Sequence, residues 1–334
     1  MKKLFCALLC VMMLASLVSV AAFADDAQYK LGLGVSLNTD SSDEGNAQVD
    51  ATFAAVVLDA DGKILACRLD AVQDKMDVTD GEVDTEKEFL TKMELGDDYN
   101  MVAYSDATIE WYDQAKAFEA YVVGMTADEV AAMETEVNEE GYHVTTDADL
   151  FASCSISIDG FQDAVIKACN DDQGMEFAAV DEFTLGVAAT STADESVAAT
   201  DEEDGVVKMY SEYAAVVLDA NGVILATVND ATQPQIAIDE DGEIEGTTFN
   251  GTKRELKEDY NMVAYGNAIA EWYEQSAAFS EYCVGMTGEE VAAMETVVNE
   301  EGNLVSTDET LFAQCTMSIG GMQTVVATAC EYAR

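Results

Sequence analysis

The sequence is poor in the residues that most often build metal and catalytic sites. It contains one histidine, His143, and no two cysteines separated by two residues. Zinc and haem sites rely on such residues, so we expect neither. A Ser-His-Asp triad would need His143, but its surroundings, "EEGYHVTT", do not resemble a nucleophile elbow. Acidic residues are too widespread to single out a pair of glycosidase carboxylates. We therefore predict no catalytic residue.

Basic residues are also scarce. The chain has 15 Lys and Arg against 66 Asp and Glu, which gives a formal net charge of −51. Nucleic-acid binders carry the opposite charge, so this class of function is excluded, and docking on anionic lipid is disfavoured. The acidic residues either keep the surface solvated and suppress aggregation, or bind cations or a basic partner. Their spread along the whole chain favours the first interpretation.

Long apolar runs are confined to the N-terminus. Residues 1–24 combine the basic start "MKK", the apolar stretch "LFCALLCVMMLASLVSV" and a small-residue site that ends at Ala24. This pattern is typical of a secretory signal peptide. Cleavage after Ala24 would leave 13 basic residues against 66 acidic ones, a net charge of −53. We expect a secreted protein, extracellular after cleavage, without a membrane span.

The chain repeats itself. Residues 95–141 align with residues 256–302 without a gap, and 32 of the 47 positions are identical. This period is too long for a solenoid, and about 150 residues can form a domain. We therefore predict two tandem repeats, residues 25–172 and 173–334, each able to bury a core of its own.

Each repeat begins with signals for β-structure. A strand-like segment comes first, "YKLGLGVSL" (29–37) or "FTLGVAAT" (183–190). Next, "AAVVLDADGKILA" (54–66) and "AAVVLDANGVILA" (214–226) place Asp-Gly or Asn-Gly between two apolar runs, a pattern that predicts a tight hairpin. "DADG" lacks the further ligands of an EF-hand, so we expect no calcium at this turn.

The second part of each repeat has helical signals. Apolar residues at helical spacing predict a helix over 105–124, and Thr126 with Glu129 forms a capping-box pattern for the next helix. The segments "SCSISIDGF" (153–161) and "QCTMSIGGM" (314–322) predict a short strand, a glycine turn and a closing helix. The order indicates an α+β fold, with a small, mostly antiparallel sheet packed with helices in each repeat.

Two cysteine pairs have the same spacing. Cys154 and Cys169 are fifteen positions apart, and so are Cys315 and Cys330. A strand of about 16 Å followed by a returning helix of about 13 Å would let the members of each pair meet. An exported protein permits a disulfide there, whereas the alternative is buried free thiols in a protein from a reducing habitat. The sequence leaves both open.

Both repeats retain the same few cationic and aromatic residues. A lysine and a tryptophan occur at matching positions in the two copies, together with neighbouring Tyr, Met and Gln residues. These residues either pack a helix on the sheet and offset local acid, or form a surface for a planar anionic ligand. The matched pairs are Lys92 with Lys253, Trp111 with Trp272, Tyr99 with Tyr260, Met101 with Met262, and Gln114 with Gln275.

The order of these segments resembles the FMN-binding domain family, which includes flavin subunits of ion-pumping respiratory complexes and extracellular electron-transfer flavoproteins. The matching pieces are "LGLG", "VVLDADGKILACRLD", "TKMELGDDYNM", "EWYDQ" and "SCSISIDGFQDAVIKA". Their counterparts in the second repeat are "VVLDANGVILA", "TKRELKEDYNM", "EWYEQ" and "QCTMSIGGMQTVVATA". The resemblance spans most of each repeat.

The resemblance implies a flavin site. In the family a threonine before the last helix carries FMN by a phosphoester, which corresponds to Thr316 here and to Ser155 in the first repeat. Lys92, Lys253, Trp111 and Trp272 would then contact the cofactor. The family's Gly-Ala before that threonine is replaced by Ser-Cys and Gln-Cys. Two functions follow: an electron-transfer protein that positions FMN, or a non-catalytic extracellular binding or structural module that has lost the flavin site.

Overall fold

The computed structural model describes residues 28–105, 107–266 and 268–334, so the predicted signal peptide lies outside it. These ranges form an α+β protein, as expected. The strands β1 to β14 are Gln28–Asn38, Asn46–Leu58, Ile64–Asp77, Thr135–Val137, His143–Thr145, Met175–Ala178, Thr184–Thr192, Gly205–Lys208, Tyr210–Leu218, Ile224–Thr232, Gln235–Ile238, Ile244–Thr248, Thr296–Val298 and Leu304–Ser306. The helices α1 to α12 are Lys92–Leu95, Met101–Tyr104, Trp111–Val122, Ala127–Ala131, Ala148–Phe151, Asp159–Cys169, Lys253–Leu256, Met262–Gly266, Trp272–Cys283, Gly288–Ala292, Glu309–Phe312 and Gly320–Glu331.

Two antiparallel sheets form the centre of the molecule. The first has the strand order β3-β2-β1-β6 and the second β10-β9-β7. Both predicted hairpins are present, β2-β3 and β9-β10, and Gly62 and Gly222 adopt positive φ angles of 75° and 79° in their turns. Strand β6 comes from the part of the chain assigned to the second repeat, yet it pairs with β1.

The two sheets pack face to face. Their inner faces share one apolar cluster, which includes Leu33, Phe53, Leu185 and Tyr213. The outer face of the first sheet packs against α3 and α6, and that of the second against α9 and α12. The result is a four-layer arrangement, helices–sheet–sheet–helices. The sequence predicts a separate core for each repeat, and the structure adds a core that the two repeats share.

A third small sheet extends this shared packing. It has the order β12-β11-β8, and its Val207 and Ile236 pack with Val49 and Met76 from the ends of β2 and β3. Two short hairpins, β4-β5 and β13-β14, complete the strand pairing over the described ranges, where every ladder is antiparallel.

The predicted strand before each closing helix is wrong. Residues 153–158 have no strand, and Gly160 lies in the first turn of α6 rather than in a turn before it. The second repeat is alike, with Gly321 inside α12. The backbone N–H groups of Ser155 and Thr316 donate to glutamine side chains instead of to a neighbouring strand. An internal side-chain acceptor thus replaces the ladder that a strand would need.

The predicted helices are present, although α3 is shorter than predicted. Helix α3 begins at Trp111 rather than near residue 105, because Glu110 is extended. Thr126 and Glu129 form the expected capping box at α4, and Thr287 and Glu290 repeat it at α10. Of the helices in the described ranges, none combines the length and the apolar character that crossing a bilayer requires.

Candidate functional site

In the second repeat, the retained lysine lies among aromatic rings. Lys253 Nζ is 4.5 Å from the ring centre of Tyr210 and 4.8 Å from that of Tyr260. It is 5.3 Å from the Trp272 ring and donates a hydrogen bond of 3.3 Å to Tyr210 Oη. Ring faces attract ammonium groups electrostatically. The ammonium group of this buried lysine therefore already interacts with three aromatic rings and one hydroxyl of the protein.

The first repeat holds its lysine in the same manner. Lys92 Nζ is 4.7 Å from the Tyr99 ring centre and 5.4 Å from that of Trp111. Asp50 occupies the position that Tyr210 has in the second repeat, so one ring fewer surrounds the ammonium group. The structure thus brings together the lysine, tyrosine and tryptophan that the sequence singles out, in both copies.

A buried glutamine links this cluster to the segment before the closing helix. Gln275 Oε1 accepts hydrogen bonds from the Thr316 backbone N–H at 2.8 Å and from its hydroxyl at 3.3 Å. In the first repeat, Gln114 Oε1 accepts from Ser155 at 2.9 and 3.4 Å. Both glutamines are at most 1 % exposed. Ser155 itself is exposed and Thr316 is half-buried. The glutamine fixes the loop that carries each hydroxyl.

The tryptophan rings are not available for stacking. Trp111 and Trp272 are each 4 % exposed and belong to the cores between helices and sheet. Trp111 packs edge-on against Phe161 with ring centres 5.6 Å apart. Of the two interpretations of these residues, core packing is the one that their burial supports.

A carboxyl group at the start of α12 distinguishes the second repeat. Glu212 lies against Gly321, where a Cβ atom would meet Glu212 Oε2 at 1.5 Å. The first repeat has Thr52 in this place, and a Cβ atom at Gly160 would lie 3.2 Å from Thr52 Oγ1, a tight contact but much less severe. Burial raises the pKa of Glu212 to about 7, although Lys253 and the Tyr210 hydroxyl oppose the shift.

The raised pKa of Glu212 predicts a pH-dependent stability. Near pH 5 the folded protein keeps the Glu212 proton, whereas the unfolded chain, with a pKa of 4.5, has largely lost it. The free energy of unfolding should therefore rise as pH falls from about 8 to about 5, by about 1.4 kcal/mol for each pKa unit. Urea unfolding of Glu212→Gln at both pH values should show a smaller rise than the wild type.

The control for this prediction removes a charge elsewhere. Glu88 is exposed. Glu88→Gln should keep the wild-type difference between pH 5 and pH 8, because an exposed carboxyl has similar surroundings in the folded and unfolded states. An identical pH dependence in Glu212→Gln and wild type would show that Glu212 is not protonated in the folded protein.

The cysteines next to the site are free thiols. All six cysteines in the described ranges are unpaired, which agrees with the free-thiol alternative and not with the disulfides; five are buried and Cys330 is half-buried. Without the predicted strand, the geometry that would bring the members of each pair together is missing. Burial raises the pKa of Cys154 and of Cys315 to about 12. Each side chain lies in the apolar core, directly before the hydroxyl residue in sequence.

We expect these thiols to react only after unfolding. The thiolate is the reactive form, and both burial and a raised pKa suppress it. Iodoacetamide should therefore modify the native mature protein slowly and add six groups in denaturant without any reductant, as read by intact mass. Addition of only two or four groups in denaturant would demonstrate disulfides and contradict the free-thiol state.

A cavity lies beside Lys253. It has a volume of about 430 Å³, and Gln233, Phe249, Asn250 and Tyr260 contribute to its walls. This volume falls within the range of small-molecule sites. Lys253 and Tyr260 line this cavity, but the Trp272 ring does not, so the cavity gives no access to that ring.

A larger cavity, of about 650 Å³, opens where α9 and β10 face the segment that precedes β6. We call it the α9 cavity. Asn229, Ser276 and Ser280 line it, and sequence reasoning missed all three. That reasoning looked for residues identical in both repeats, whereas the first repeat has Leu69, Ala115 and Glu119 at these positions. At two of these buried positions a polar residue, Asn229 or Ser276, replaces an apolar one, and this difference between the copies was the available signal.

Comparisons with known proteins identify no relative of this chain. The chain matches no family model, no curated protein and no solved structure.

Proposed function

We propose that this protein is an exported, non-catalytic binding module, built on a scaffold that resembles FMN-binding domains but no longer carries flavin. The observation that carries the proposal is the burial of Trp111 and Trp272, each 4 % exposed, in both repeats. A stacked flavin would need an open aromatic face. These rings instead form the core beneath α3 and α9.

The lysines support the same conclusion. Lys253 has three ring faces around its ammonium group and a half-buried carboxyl, Glu212, nearby. A phosphate would have to displace some of these contacts in order to bind the ammonium group of Lys253. The chain's net charge of −51 further lowers the local concentration of anions.

The segment before the closing helix also favours a lost attachment site. A phosphate that approaches the backbone closely needs small residues beside the acceptor hydroxyl. Cys154 and Cys315 stand directly before Ser155 and Thr316 and are fully buried. The backbone N–H groups of Ser155 and Thr316 donate to Gln114 and Gln275, so they are not free to donate to a phosphate oxygen.

A flavin-carrying electron-transfer protein is the second candidate. The cavity of about 430 Å³ beside Lys253 favours it, because the cavity joins a lysine to the Tyr260 ring at a volume suited to a small ligand. FMN would then bind without a covalent bond in the second repeat, or through Thr316.

The experiment that separates these candidates is an absorbance spectrum and an intact mass of residues 25–334. The protein would be exported from a flavin-sufficient host that has a flavin-attaching enzyme, and then soaked in FMN. We expect the mass of the unmodified chain and no visible flavin band. A mass gain of one FMN that is lost in Thr316→Ala, but kept in the matched Ser155→Ala, would overturn the proposal.

Non-covalent flavin has a separate signature. Bound FMN would be released on denaturation without a mass change, and Lys253→Met would weaken its binding, whereas Lys92→Met would not. That result would establish the second candidate, because the cavity of about 430 Å³ has Lys253 in its lining.

A further inference from the structure

A buried carboxyl lies where the two sheets meet. Asp74 is a residue of β3 and is 1 % exposed. Because side chains alternate along a strand, it shares a face of β3 with Val72 and Met76, and both of these pack in apolar clusters that include residues of the second repeat. Strand β3 also packs against β7, which belongs to the second repeat. The contact between the repeats therefore encloses Asp74.

Neither oxygen atom of this carboxyl accepts a hydrogen bond. Asp74 Oδ1 and Oδ2 are both buried, and no residue of the described ranges donates to them. Asp70, on the same strand, instead accepts from the backbone N–H groups of Ala71 at 2.7 Å and Met93 at 3.0 Å. An ionised carboxylate without donors is costly in an apolar interior, so the group takes up a proton instead. The geometry alone therefore favours a neutral Asp74 in the closed interface.

The second sheet places a group of four hydroxyls beside Asp74. Ser191 and Ser211 are hydrogen-bonded through their Oγ atoms at 2.9 Å, and Tyr213 Oη and Thr232 Oγ1 at 3.0 Å. Ser191 and Tyr213 are close enough to interact electrostatically with the Asp74 carboxyl, although neither donates to it with hydrogen-bond geometry. The four hydroxyls thus bond with one another, which leaves the carboxyl as the unpartnered member of the cluster.

Each repeat has an apolar side chain where the other contributes to this cluster. The first repeat has apolar residues at the positions of the four hydroxyls, and the second repeat has a proline at the position of Asp74. The matched pairs are Ser191 with Leu37, Ser211 with Ala51, Tyr213 with Phe53, Thr232 with Val72, and Pro234 with Asp74. Apolar residues can therefore fill these places in the same fold. The carboxyl is not required for packing, and it gives this end of the contact a group whose charge depends on pH.

The charges around Asp74 oppose one another. Asp50, on the neighbouring strand β2, disfavours the ionised form, whereas Lys87, from the segment between β3 and α1, favours it. Strand β7 contributes the uncharged Ser191, and β9 contributes the Tyr213 hydroxyl. Burial has the largest effect and raises the pKa of Asp74 to about 7. The carboxyl is therefore half ionised near neutral pH.

We propose that Asp74 is a pH-sensitive switch for the β3–β7 end of the contact between the repeats. The neutral carboxyl remains in the closed interface, and the ionised carboxyl favours conformations in which this end opens and water solvates the charge. The opening is confined to this end, because the apolar cluster around Leu33, Phe53 and Leu185 contains no carboxyl. This switch would act whether or not the second repeat carries flavin, so it goes beyond the proposed binding function.

Hydrogen exchange of the mature chain, measured by NMR at pH 6 and pH 8, tests this switch. If the pKa of Asp74 falls from about 7 in the closed form to its ordinary value of 3.8 in the open form, the opening equilibrium rises about tenfold over this interval. We expect that rise, after correction for intrinsic exchange rates, at the amides of residues 189–192 in β7 and 73–77 in β3. Asp74→Asn keeps the size of the side chain without its charge and should show no rise.

Two charge variants should move the pH of this change in opposite directions. Asp50→Asn removes a repulsion and should move it to lower pH, and Lys87→Met should move it to higher pH. Glu212→Gln removes a carboxyl from the opposite face of the second sheet and should keep the wild-type change. Circular dichroism must show that each variant is folded. Equal opening at pH 6 and pH 8 in the wild type, or the same rise in Asp74→Asn, would overturn the switch, and so would a wild-type Asp74 carboxyl whose ¹³C signal titrates at about pH 4.

Discussion

Replacing Arg254 by Met is expected to lower the free energy of unfolding by about 3–5 kcal/mol, because it leaves a buried charge without its partner. The side chains of Arg254 and Asp171 are 7 % and 6 % exposed and form a bidentate ion pair. Asp171 also accepts a hydrogen bond of 3.1 Å from the Leu33 backbone N–H, so it cannot turn away to solvent. Urea unfolding of the mature chain would measure the loss.

Two further variants identify the cause of that loss. Asp171→Asn in the Arg254→Met background removes the unpaired charge but keeps an acceptor for Leu33, and should recover much of the stability. Lys257→Met breaks the neighbouring pair with Asp172, whose side chains are 37 % and 69 % exposed, and should stay within about 1 kcal/mol of wild type. Equal losses in Arg254→Met and Lys257→Met would contradict the argument.

Much of the local structure is predictable from sequence because local chemistry determines it. The Asp-Gly and Asn-Gly turns require positive φ, and they form the hairpins β2-β3 and β9-β10. Thr126 and Glu129 satisfy the free N–H groups at the start of α4. The short strand predicted within residues 153–161 is absent, since the Ser155 backbone N–H donates to the side chain of Gln114, which is distant in sequence.

The packing of the two sheets against each other is harder to predict from the sequence. Residues 53–58 of β2 are buried without alternation, which shows that both faces of this strand are covered. Such a run is a recognisable signal of a strand inside layers. It does not reveal what covers the second face. Here the cover is the other repeat, and the fit of Phe53 against Tyr213, with ring centres 5.2 Å apart, exists only after folding.

The residues that cluster around each lysine were predictable from the sequence, but their burial was not. Identity between the repeats correctly grouped Lys253 with Tyr260 and Trp272. The burial that makes them core residues depends on helix placement, which spacing does not determine. The α9 cavity arises where the repeats diverge, so a search for shared residues passes over Asn229 and Ser280.

Replacing Gly186 by Ala is expected to lower the free energy of unfolding by at least about 2 kcal/mol, because it forces helix α12 away from strand β7. A Cβ atom at Gly186 would lie 1.9 Å from the Ala329 carbonyl oxygen and 3.2 Å from Ala333 Cα. Backbone atoms cannot change rotamer to relieve such a contact. Gly32 has the equivalent position in the first repeat, at 2.0 Å from the Ala168 carbonyl oxygen, so Gly32→Ala should have a similar effect.

Gly246→Ala is the matched control, since no atom lies within 4 Å of the added Cβ. It should be neutral or slightly stabilising, because alanine restricts the unfolded chain. The movement of α12 also has a local readout. Thr316 precedes this helix, and its N–H donates to Gln275 Oε1 at 2.8 Å, so Gly186→Ala should speed hydrogen exchange at Thr316 while Gly246→Ala leaves it unchanged. Unaltered stability and exchange in Gly186→Ala would mean that the helix does not rest on the strand backbone, and that the support of the Thr316 segment lies elsewhere.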